Sequence, residues 1–323
     1  MYYLGVDCGG TKSLFLVSDE NGGVLATYLT GSGGFFLHGQ EGIRRLVEEG
    51  AKAVCGRAGI AVKQLERAGL GFPGYGEMEG SERMIQEACD AALGPGKAVC
   101  ACDCALGWAG SLAMEPGVNI VAGTGSICYG VNARGEAARA GGWGTVGDEG
   151  SCRWIGTRLL QLYTKQADGR LPKTRLYEAF RARFGITDDT LFIYPMNQEL
   201  MHSATELAKL QLLARELYDE EDPWARAVYQ EAARELALTA HAVAKKLGLT
   251  AGYAVSYSGG LFRSGGAVTG PLAREVGVFG GRLCAPRYTP EQGAVLMAMR
   301  AREPGRSFGN LRFTARAAEG APV

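Results

Sequence analysis

Three features are scarce in this 323-residue sequence, and each absence excludes a class of protein. No uninterrupted apolar run reaches the roughly 20 residues that a membrane-spanning helix needs, so no membrane partner is expected. Lys plus Arg and Asp plus Glu each number 34, so the basic excess typical of nucleic-acid binders is missing. With only three histidines (His38, His202 and His241), a histidine-based metal site or catalytic triad is not expected.

Disulfide bonds and a secretory leader are not expected either. The nine cysteines are an odd number, and a chain of this length can bury a large core without covalent cross-links. The first residues lack a basic segment and lead directly into a strand pattern, which argues against a signal peptide. The expected location is therefore a reducing, cytoplasmic one.

Glycine, in contrast, is abundant, with 49 of 323 residues, which is about twice its average usage. Only 11 prolines are present and no Gly-X-Y period is found, so the chain is not collagen-like. A hydrophobic content of 46% excludes a disordered chain. The glycines must therefore lie in turns and loops of a folded protein, where the backbone bends sharply or closely approaches another group.

The order of strand and helix patterns predicts an α/β protein. A strand, a glycine turn and a hairpin occur around Gly9 and recur around Gly123, which favours internal duplication over a chance similarity of two hairpins. The predicted strands are residues 2–7, 13–17, 24–29, 68–72, 98–103, 118–122, 126–131, 136–140 and 254–258. The predicted helices are residues 40–56, 81–93, 151–167, 174–184, a region 203–247 that is split at Asp222-Pro223, and 290–302.

The first glycine turn has the composition of a phosphate-binding loop. Asp7 ends an apolar strand, Gly9 and Gly10 form the turn, and Thr11 and Lys12 lead into the next strand. Backbone N–H groups and a hydroxyl in such a turn can contact phosphate oxygens, while the carboxylate holds hydrated Mg²⁺. The motif is neither a Walker A loop nor a dinucleotide fingerprint, and an ordinary hairpin turn is the alternative.

Three further glycine-rich segments follow apolar strands: Gly123-Thr124-Gly125-Ser126, residues 141–151, and Ser258-Gly259-Gly260. The turn Gly123-Thr124-Gly125-Ser126 could clamp phosphates from a second side. The segment 141–151 has one tryptophan and a carboxylate among its glycines, which suits a sugar-sized pocket. The motif Ser258-Gly259-Gly260 could lie against the face of a purine. The alternatives are a hairpin turn, a strand-to-helix turn and, for the middle segment, helix capping by Asp148 and Ser151.

In this order and spacing, the four motifs resemble those of the N-acetylglucosamine kinase family, within the sugar kinase/Hsp70/actin superfamily. The most selective part is Gly142-Trp143-Gly144 followed by Gly147-Asp148-Glu149-Gly150-Ser151. The resemblance covers about residues 2–302. Similar sequences include the BadF/BadG/BcrA/BcrD-type ATPases, among them the activators of benzoyl-CoA reductase and 2-hydroxyacyl-CoA dehydratase.

The resemblance implies a two-domain actin-like ATPase fold of the α/β class, a duplicated ribonuclease H-like architecture with an interdomain cleft. The N-terminal domain would comprise residues 1–118 and be joined by the C-terminal helix at about 290–302. The C-terminal domain would comprise residues 119–289. Residues 303–323 carry weak signals and are expected to form a mobile tail.

The resemblance also implies a role for each motif residue. Asp7 matches the acidic residue associated with Mg²⁺, and Asp103, at the end of a predicted strand, matches the catalytic base. The implied ATP-binding residues are Asp7, Gly9, Gly10, Thr11, Lys12, Gly123, Thr124, Gly125, Ser258, Gly259 and Gly260. The implied sugar-binding residues are Ser32, Gly34, Asp103, Ser126, Ile127, Gly142, Trp143, Gly144, Thr145 and Asp148.

The implied activity is an ATP- and Mg²⁺-dependent kinase that phosphorylates the 6-hydroxyl of an amino sugar, with Asp103 accepting the hydroxyl proton. Asp103 could instead simply cap the helix that follows it. Two departures from the family pattern leave the identity of the sugar substrate undetermined. Residues 30–36 lack the asparagine with which many members contact the sugar, and Ile127 stands where some relatives have another. N-acetylglucosamine, N-acetylmuramic acid and glucosamine all remain candidate substrates. Ser32 or the backbone near Gly34 would supply the sugar contacts that the asparagines make in relatives.

Two other functions are compatible with the motifs: an activator-type ATPase and a non-catalytic sugar sensor. Cys100, Cys102 and Cys104 would share one strand face, but the second cysteine pair of a typical zinc or iron–sulfur site is absent. Small buried strand residues are the simpler interpretation. Asp103 and the segment 143–151 favour the kinase. The expected partner is a small-molecule amino sugar, and a homodimer is also considered.

Overall fold

The structure, a computed structural model, describes residues 1–315 and consists of two compact units. Residues 1–115 and 285–315 form the N-terminal unit, and Pro116–Cys284 form the C-terminal unit. Each unit has one β-sheet with helices packed against it, so the predicted α/β class is confirmed. Residues 316–323 of the predicted tail lie outside the described residues.

The N-terminal unit is built on a six-stranded sheet. Its strands are β1 (Tyr2–Cys8), β2 (Ser13–Asp19), β3 (Gly23–Thr30), β4 (Leu65–Phe72), β5 (Ala98–Cys102) and β11 (Thr314–Ala315). Its helices are α1 (Phe35–Arg57), α2 (Ser81–Leu93), α3 (Asp103–Ser111) and α10 (Pro290–Arg302), with a 3₁₀ turn at Val62–Gln64. One hydrophobic cluster lies between the sheet and α1 and α2, and another between the sheet and α10.

The C-terminal unit is built on a five-stranded sheet. Its strands are β6 (Gly117–Ala122), β7 (Ser126–Val131), β8 (Ala137–Gly141), β9 (Tyr253–Ser258) and β10 (Gly281–Leu283). Its helices are α4 (Cys152–Ala167), α5 (Arg175–Phe184), α6 (Ile193–Pro195), α7 (Ala204–Asp219), α8 (Pro223–Lys246) and α9 (Gly266–Val278). Short 3₁₀ and π-helical turns are found at Asp189–Phe192, Met196–Leu200 and Gly260–Ser264.

The two sheets repeat one plan. The N-terminal sheet has the order β11-β3-β2-β1-β4-β5, and the C-terminal sheet has the order β8-β7-β6-β9-β10 when listed in the same direction. In each, an antiparallel three-stranded meander is extended by parallel strands. The recurrence of the glycine hairpin in the sequence therefore reflects a duplicated architecture.

Helix α10 packs on the N-terminal sheet because two strands carry glycine beneath it. A Cβ atom at Gly5 of β1 would overlap the carbonyl oxygen of Glu291, and one at Gly69 of β4 would overlap that of Ala294. Only glycine allows backbone to approach this closely, so the expectation that the glycines lie in turns and loops is wrong for Gly5 and Gly69, which lie within strands. The close packing brings the first turn of α10 next to β1.

The predicted break at Asp222-Pro223 separates α7 from α8. The Asp222 carboxylate accepts hydrogen bonds from the backbone N–H groups of Trp224 and Ala225, at 2.9 and 3.0 Å. Pro223 occupies the first helical position, where its missing N–H costs nothing. Within residues 1–315, no helix combines the length and the apolar character needed to cross a bilayer.

Besides the three-residue α6, the predicted helix ranges do not include α3 or α9, which entered only as alternatives in which a helix follows Asp103 or Gly260. Almost every residue of α3 is buried, so its sequence lacks the polar face on which helix periodicity depends. Helix α9 begins at Gly266 and contains Pro271, residues that normally indicate a loop. In both cases packing against neighbouring elements outweighs local sequence preference.

The first part of the predicted tail is packed rather than mobile. Phe308 is fully buried in the cluster beneath α10, and the Tyr288 hydroxyl donates a hydrogen bond to its carbonyl oxygen at 2.7 Å. Thr314–Ala315 pairs in parallel with β3. Burial of Phe308, together with these backbone contacts, holds a segment whose local sequence signals are weak.

Candidate active site

Asp7 and Asp103 lie at the same edge of the N-terminal sheet. Strands β1, β4 and β5 are parallel neighbours, so their carboxyl ends meet at one edge. Asp7 is near the end of β1, and Asp103 directly follows β5 as the first residue of α3. A Cβ atom at Gly71 of β4 would lie 3.1 Å from the Asp103 Cα and would overlap Leu106. Glycine at this position therefore lets the start of α3 lie against the strand between them.

Electrostatics indicate that a cation fits beside Asp7. Burial, followed by the nearby charges of Asp103 and Glu291, raises the pKa of Asp7 to about 7, and Lys12 lowers it. A divalent cation would reverse this effect by favouring the ionised carboxylate. Within residues 1–315 no group of three potential ligand side chains could hold a metal ion. Mg²⁺ commonly uses one or two carboxylates together with water and phosphate oxygens, so these residues fit such an ion.

The first glycine turn is open on one side and supported on the other. Gly10, Thr11 and Lys12 are exposed, and a Cβ atom at Gly10 would meet nothing within 4 Å. The Gly9 N–H donates to the Lys12 carbonyl oxygen at 2.8 Å, which closes the turn. The turn thus presents exposed N–H and hydroxyl groups of the kind that contact phosphate.

The segment after β3 supports this turn from behind. The Gly33 N–H donates to the Gly9 carbonyl oxygen at 3.1 Å. A Cβ atom at Gly33 would lie 2.6 Å from the Cβ of Cys8, so no larger residue fits there. The hydroxyl of Ser32 accepts a hydrogen bond from the Gly34 N–H at 3.3 Å. Gly33 therefore holds the turn in place, a role that the sequence did not reveal.

The second glycine turn is tied to the start of α4. The carbonyl oxygens of Gly123 and Thr124 accept hydrogen bonds from the N–H groups of Cys152 and Arg153, at 2.9 and 3.3 Å. Ser151 caps α4 by accepting a hydrogen bond from the Trp154 N–H at 3.2 Å. The capping predicted as an alternative for Ser151 is thus present. The turn and the helix start form one rigid unit.

Asp148 anchors the segment between β8 and α4. Its side chain is buried and accepts a hydrogen bond from the Gly144 N–H at 3.1 Å, while Arg153 lies 3.7 Å from the other carboxylate oxygen. Arg153 also donates to the Gly144 carbonyl oxygen at 2.5 Å. Burial raises the pKa of Asp148, and the Gly144 N–H and Arg153 oppose that effect. A Cβ atom at Gly125 would overlap this carboxylate, so the second glycine turn lies directly against Asp148.

The other predicted sugar-binding residues of this segment differ in exposure. Ser126 is buried, and its hydroxyl donates to the Glu149 carbonyl oxygen at 2.8 Å, so it holds the segment together. A Cβ atom at Gly142 would lie 2.7 Å from the Ile127 side chain. Thr145 is exposed, and Trp143 is 79% exposed. The indole is therefore exposed on the C-terminal unit, and its contact with a sugar stays a prediction.

The motif Ser258-Gly259-Gly260 brings β9 against β6. Gly259 has a φ of +104°, and a Cβ atom there would overlap the Ala122 carbonyl oxygen. The Ser258 hydroxyl accepts a hydrogen bond from the buried Asn119 amide at 3.0 Å. These contacts fix the end of β9 beside the turn that begins at Gly123.

A cavity of about 370 Å³ connects two of the predicted ATP-binding motifs. It is lined by Gly123, Thr124, Cys152, Thr205, Ala208, Lys209, Gln211, Leu212, Arg215, Gly260, Arg263 and Ser264. Among these described residues are three cations and no carboxylate, which suits an anionic ligand. The sequence did not reveal the lining from α7, because the region 203–247 was predicted only as Ala/Leu/Glu-rich helical sequence split at Asp222-Pro223.

A second cavity of about 390 Å³ adjoins the segment that Asp148 anchors. Its lining residues are Thr145, Val146, Gly147, Glu149, Arg153, Trp154, Thr157, Met201, His202, Ala204 and Leu207. It combines an apolar wall with three charged or titratable groups, Glu149, Arg153 and His202. Neither the motifs nor their spacing indicated this cavity.

Comparison with known proteins identifies the family. The model of the BadF/BadG/BcrA/BcrD ATPase family matches residues 4–298. The chain belongs to this family. It is 30% identical over 251 residues to the N-acetylmuramic acid/N-acetylglucosamine kinase of Clostridium acetobutylicum, covering 77% of this chain and 81% of that protein.

Two further relatives extend the match over nearly the full length. The N-acetyl-D-glucosamine kinase of Dictyostelium discoideum is 26% identical over 320 residues, covering 93% of this chain and 98% of the relative. The solved structure of a candidate N-acetylglucosamine kinase from Chromobacterium violaceum superposes with a TM-score of 0.73 at 27% identity, covering 92% and 98% of the two chains. The predicted family and the actin-like ATPase fold are confirmed, and the chain is an N-acetylglucosamine kinase-like member of the BadF/BadG/BcrA/BcrD family.

Proposed function

We propose that this protein is a kinase that transfers the γ-phosphoryl group of ATP to the 6-hydroxyl of an amino sugar, either N-acetylglucosamine or N-acetylmuramic acid. The observation that carries the proposal is that Asp7 and Asp103 lie at the same edge of the N-terminal sheet, at the carboxyl ends of β1 and β5. Phosphoryl transfer needs a metal-associated carboxylate and a base for the acceptor hydroxyl. The similarity to two curated amino-sugar kinases supports the same reaction.

In the N-terminal unit, Asp103 is proposed to accept the proton of the sugar hydroxyl as the hydroxyl oxygen attacks phosphorus. Asp7 is proposed to hold Mg²⁺, and Thr11 and the N–H groups of the first turn contact phosphate oxygens. Bound Mg²⁺ neutralises charge on the β- and γ-phosphates. A cation beside Asp7 would lower the raised pKa of this carboxyl group and so favour its ionised form.

In the C-terminal unit, the cavity of about 370 Å³ is proposed to take the adenosine and part of the phosphate chain. Gly123 and Gly260 supply bare backbone to this cavity, Thr124 adds a hydroxyl, and Arg263 supplies positive charge. Asp148 is proposed to orient the sugar, because its anchoring contacts fix the segment 142–145 that the family resemblance assigns to sugar binding.

A coupled assay of ADP release, run over a panel of sugars, tests the proposal. With Mg²⁺ and ATP, N-acetylglucosamine or N-acetylmuramic acid should raise ADP release on the order of 100-fold or more above the sugar-free rate. Glucosamine, N-acetylmannosamine and glucose define the tolerance at the 2-position. ADP release that does not depend on sugar would indicate an ATPase instead, and sugar binding without ADP release would indicate a sensor.

Replacing Arg263 with alanine should weaken ATP binding about tenfold, equivalent to ~1.4 kcal/mol, because the variant removes a cation from the nucleotide cavity. Isothermal titration with a non-hydrolysable ATP analogue measures the change, which should shrink at high salt. Arg274→Ala is the matched control, since Arg274 is an exposed arginine of α9 that does not line the cavity. Equal affinities for the two variants would remove Arg263 from the nucleotide site.

Replacing Asp148 with alanine should raise KM for the sugar about tenfold or more, and should raise KM for ATP by a smaller factor because the second glycine turn also lies against this carboxylate. The variant leaves the Gly144 N–H without its acceptor and Arg153 without its carboxylate, so the segment loses its anchor. Steady-state kinetics with each substrate varied in turn gives both constants. Asp168→Ala, which breaks an exposed ion pair with Arg170 at the other end of α4, should change neither.

A further inference from the structure

Two cysteines flank Asp103 and touch each other. Cys102 ends β5 and Cys104 lies in the first turn of α3, and their sulfur atoms are 3.2 Å apart. All nine cysteines of the chain are thiols rather than disulfides in the structure. Cys102 is half-buried, whereas Cys104 is 2% exposed. A small oxidant can therefore reach the first thiol, and the second already lies in contact with it.

We propose that Cys102 and Cys104 are a thiol–disulfide modification site that closes a ring around Asp103. With hydrogen peroxide as oxidant, the Cys102 thiol releases its proton and the thiolate attacks one peroxide oxygen. The O–O bond breaks, a sulfenic acid forms, and the departing hydroxide takes up the released proton to leave as water. The Cys104 sulfur then attacks the sulfenic sulfur, the S–O bond breaks, and a second water leaves. In total two thiols are oxidised, one peroxide is reduced to two waters, and one S–S bond forms.

Closing the bond is expected to constrain and shift the segment that carries Asp103. An S–S bond is about 2.05 Å long and requires a dihedral angle near 90°, so the two sulfur atoms must approach by about 1 Å. The ring contains only one residue between the two cysteines, and that residue is Asp103. A displacement of about 1 Å at a reacting group can lower turnover by a factor on the order of 10². Oxidation is therefore expected to switch turnover off and reduction to restore it.

Other cysteines near this site are poorer candidates. Cys89 is fully buried, and a hydrogen bond with Cys100, together with burial, raises its pKa well above the ordinary value. Burial also raises the pKa of Cys8, which is fully buried as well. A thiol that stays protonated and is out of reach of solvent reacts slowly. Cys102, in contrast, is half-buried and lies in direct contact with Cys104 on the other side of Asp103.

Peptide mapping tests the disulfide without reference to catalysis. The protein is treated with hydrogen peroxide, its remaining thiols are alkylated, and it is unfolded and cleaved on the amino side of aspartate, between Cys102 and Asp103. A disulfide keeps the two fragments joined until a reductant is added. Loss of the joined fragment in Cys102→Ser but not in Cys100→Ser assigns the bond. Separate fragments from the oxidised wild-type protein would overturn the inference.

Measurements of kcat test whether the disulfide switches turnover off. This second test, unlike the peptide mapping, rests on the proposed kinase activity. Peroxide should lower kcat of the wild-type protein and of Cys100→Ser at least tenfold, and a reductant should restore both. Cys102→Ser should keep its activity in peroxide. If the mapped disulfide forms and turnover is unchanged, the switch is refuted while the kinase proposal stands. If no sugar is phosphorylated under reducing conditions, the kinase proposal fails while the mapped disulfide stands.

Discussion

Replacing Asp103 with asparagine is expected to lower kcat by a factor on the order of 10² or more and to leave ATP affinity within about twofold. Asparagine keeps the size of the side chain and can still accept the N–H of Cys104, a bond of 2.9 Å in the structure. It cannot accept a proton from a hydroxyl at neutral pH. The loss should therefore fall on the chemical step, which single-turnover kinetics separates from binding.

The matched control for this variant is Glu115→Gln, which makes the same change at an exposed carboxylate of the N-terminal unit. Its kcat should equal that of the wild-type protein. Wild-type turnover in Asp103→Asn would show that Asp103 only begins α3. Equal losses in ATP affinity and in turnover would also contradict the role of a base, because they would indicate a disturbed nucleotide site.

Replacing Gly259 with alanine is expected to destabilise the protein by on the order of 3 kcal/mol or more. The backbone φ of +104° is strained for any residue with a side chain, and the added Cβ would overlap the Ala122 carbonyl oxygen. The carbonyl belongs to β6, a central strand of the sheet, so it has little freedom to move. The expected fall in Tm is on the order of 10 °C.

Gly260→Ala is the control for this variant, because a Cβ atom at the neighbouring position would meet nothing within 4 Å. Its Tm should stay within a few degrees of the wild-type value. Differential scanning calorimetry of both variants without nucleotide measures folding alone. If the two variants melt together, the close approach of β9 and β6 at Gly259 does not constrain the residue type.

Much of the fold could be predicted from local patterns. The hairpin β6–β7, helix α2 and the break before α8 follow from alternating apolar residues, helix periodicity and a Pro at the first helical position. Helices α3 and α9 could not be predicted in this way. The first is buried on all sides, and the second contains residues that usually end helices.

The residues of the candidate site also divide into those that local sequence patterns reveal and those that only tertiary packing brings together. Motifs that consist of consecutive residues, such as the turn 123–125 and the segment 142–148, could be found from the sequence. Arg263 and the lining from α7 could not, because they reach the cavity only through tertiary packing. The contact between Cys102 and Cys104 could not be predicted from the sequence either, because the end of the strand was placed incorrectly. The strand was expected to continue to residue 103, whereas α3 begins there and brings the second sulfur back to the first.

The central claim is that a sugar hydroxyl, rather than water, accepts the phosphoryl group. Phosphorus NMR of a reaction containing Mg²⁺, ATP and either N-acetylglucosamine or N-acetylmuramic acid tests this directly. The proposed function predicts a new phosphomonoester signal that is split by the two protons on carbon 6 of the sugar and that grows as ATP is consumed. Formation of ADP and inorganic phosphate alone, with no sugar phosphate, would contradict it.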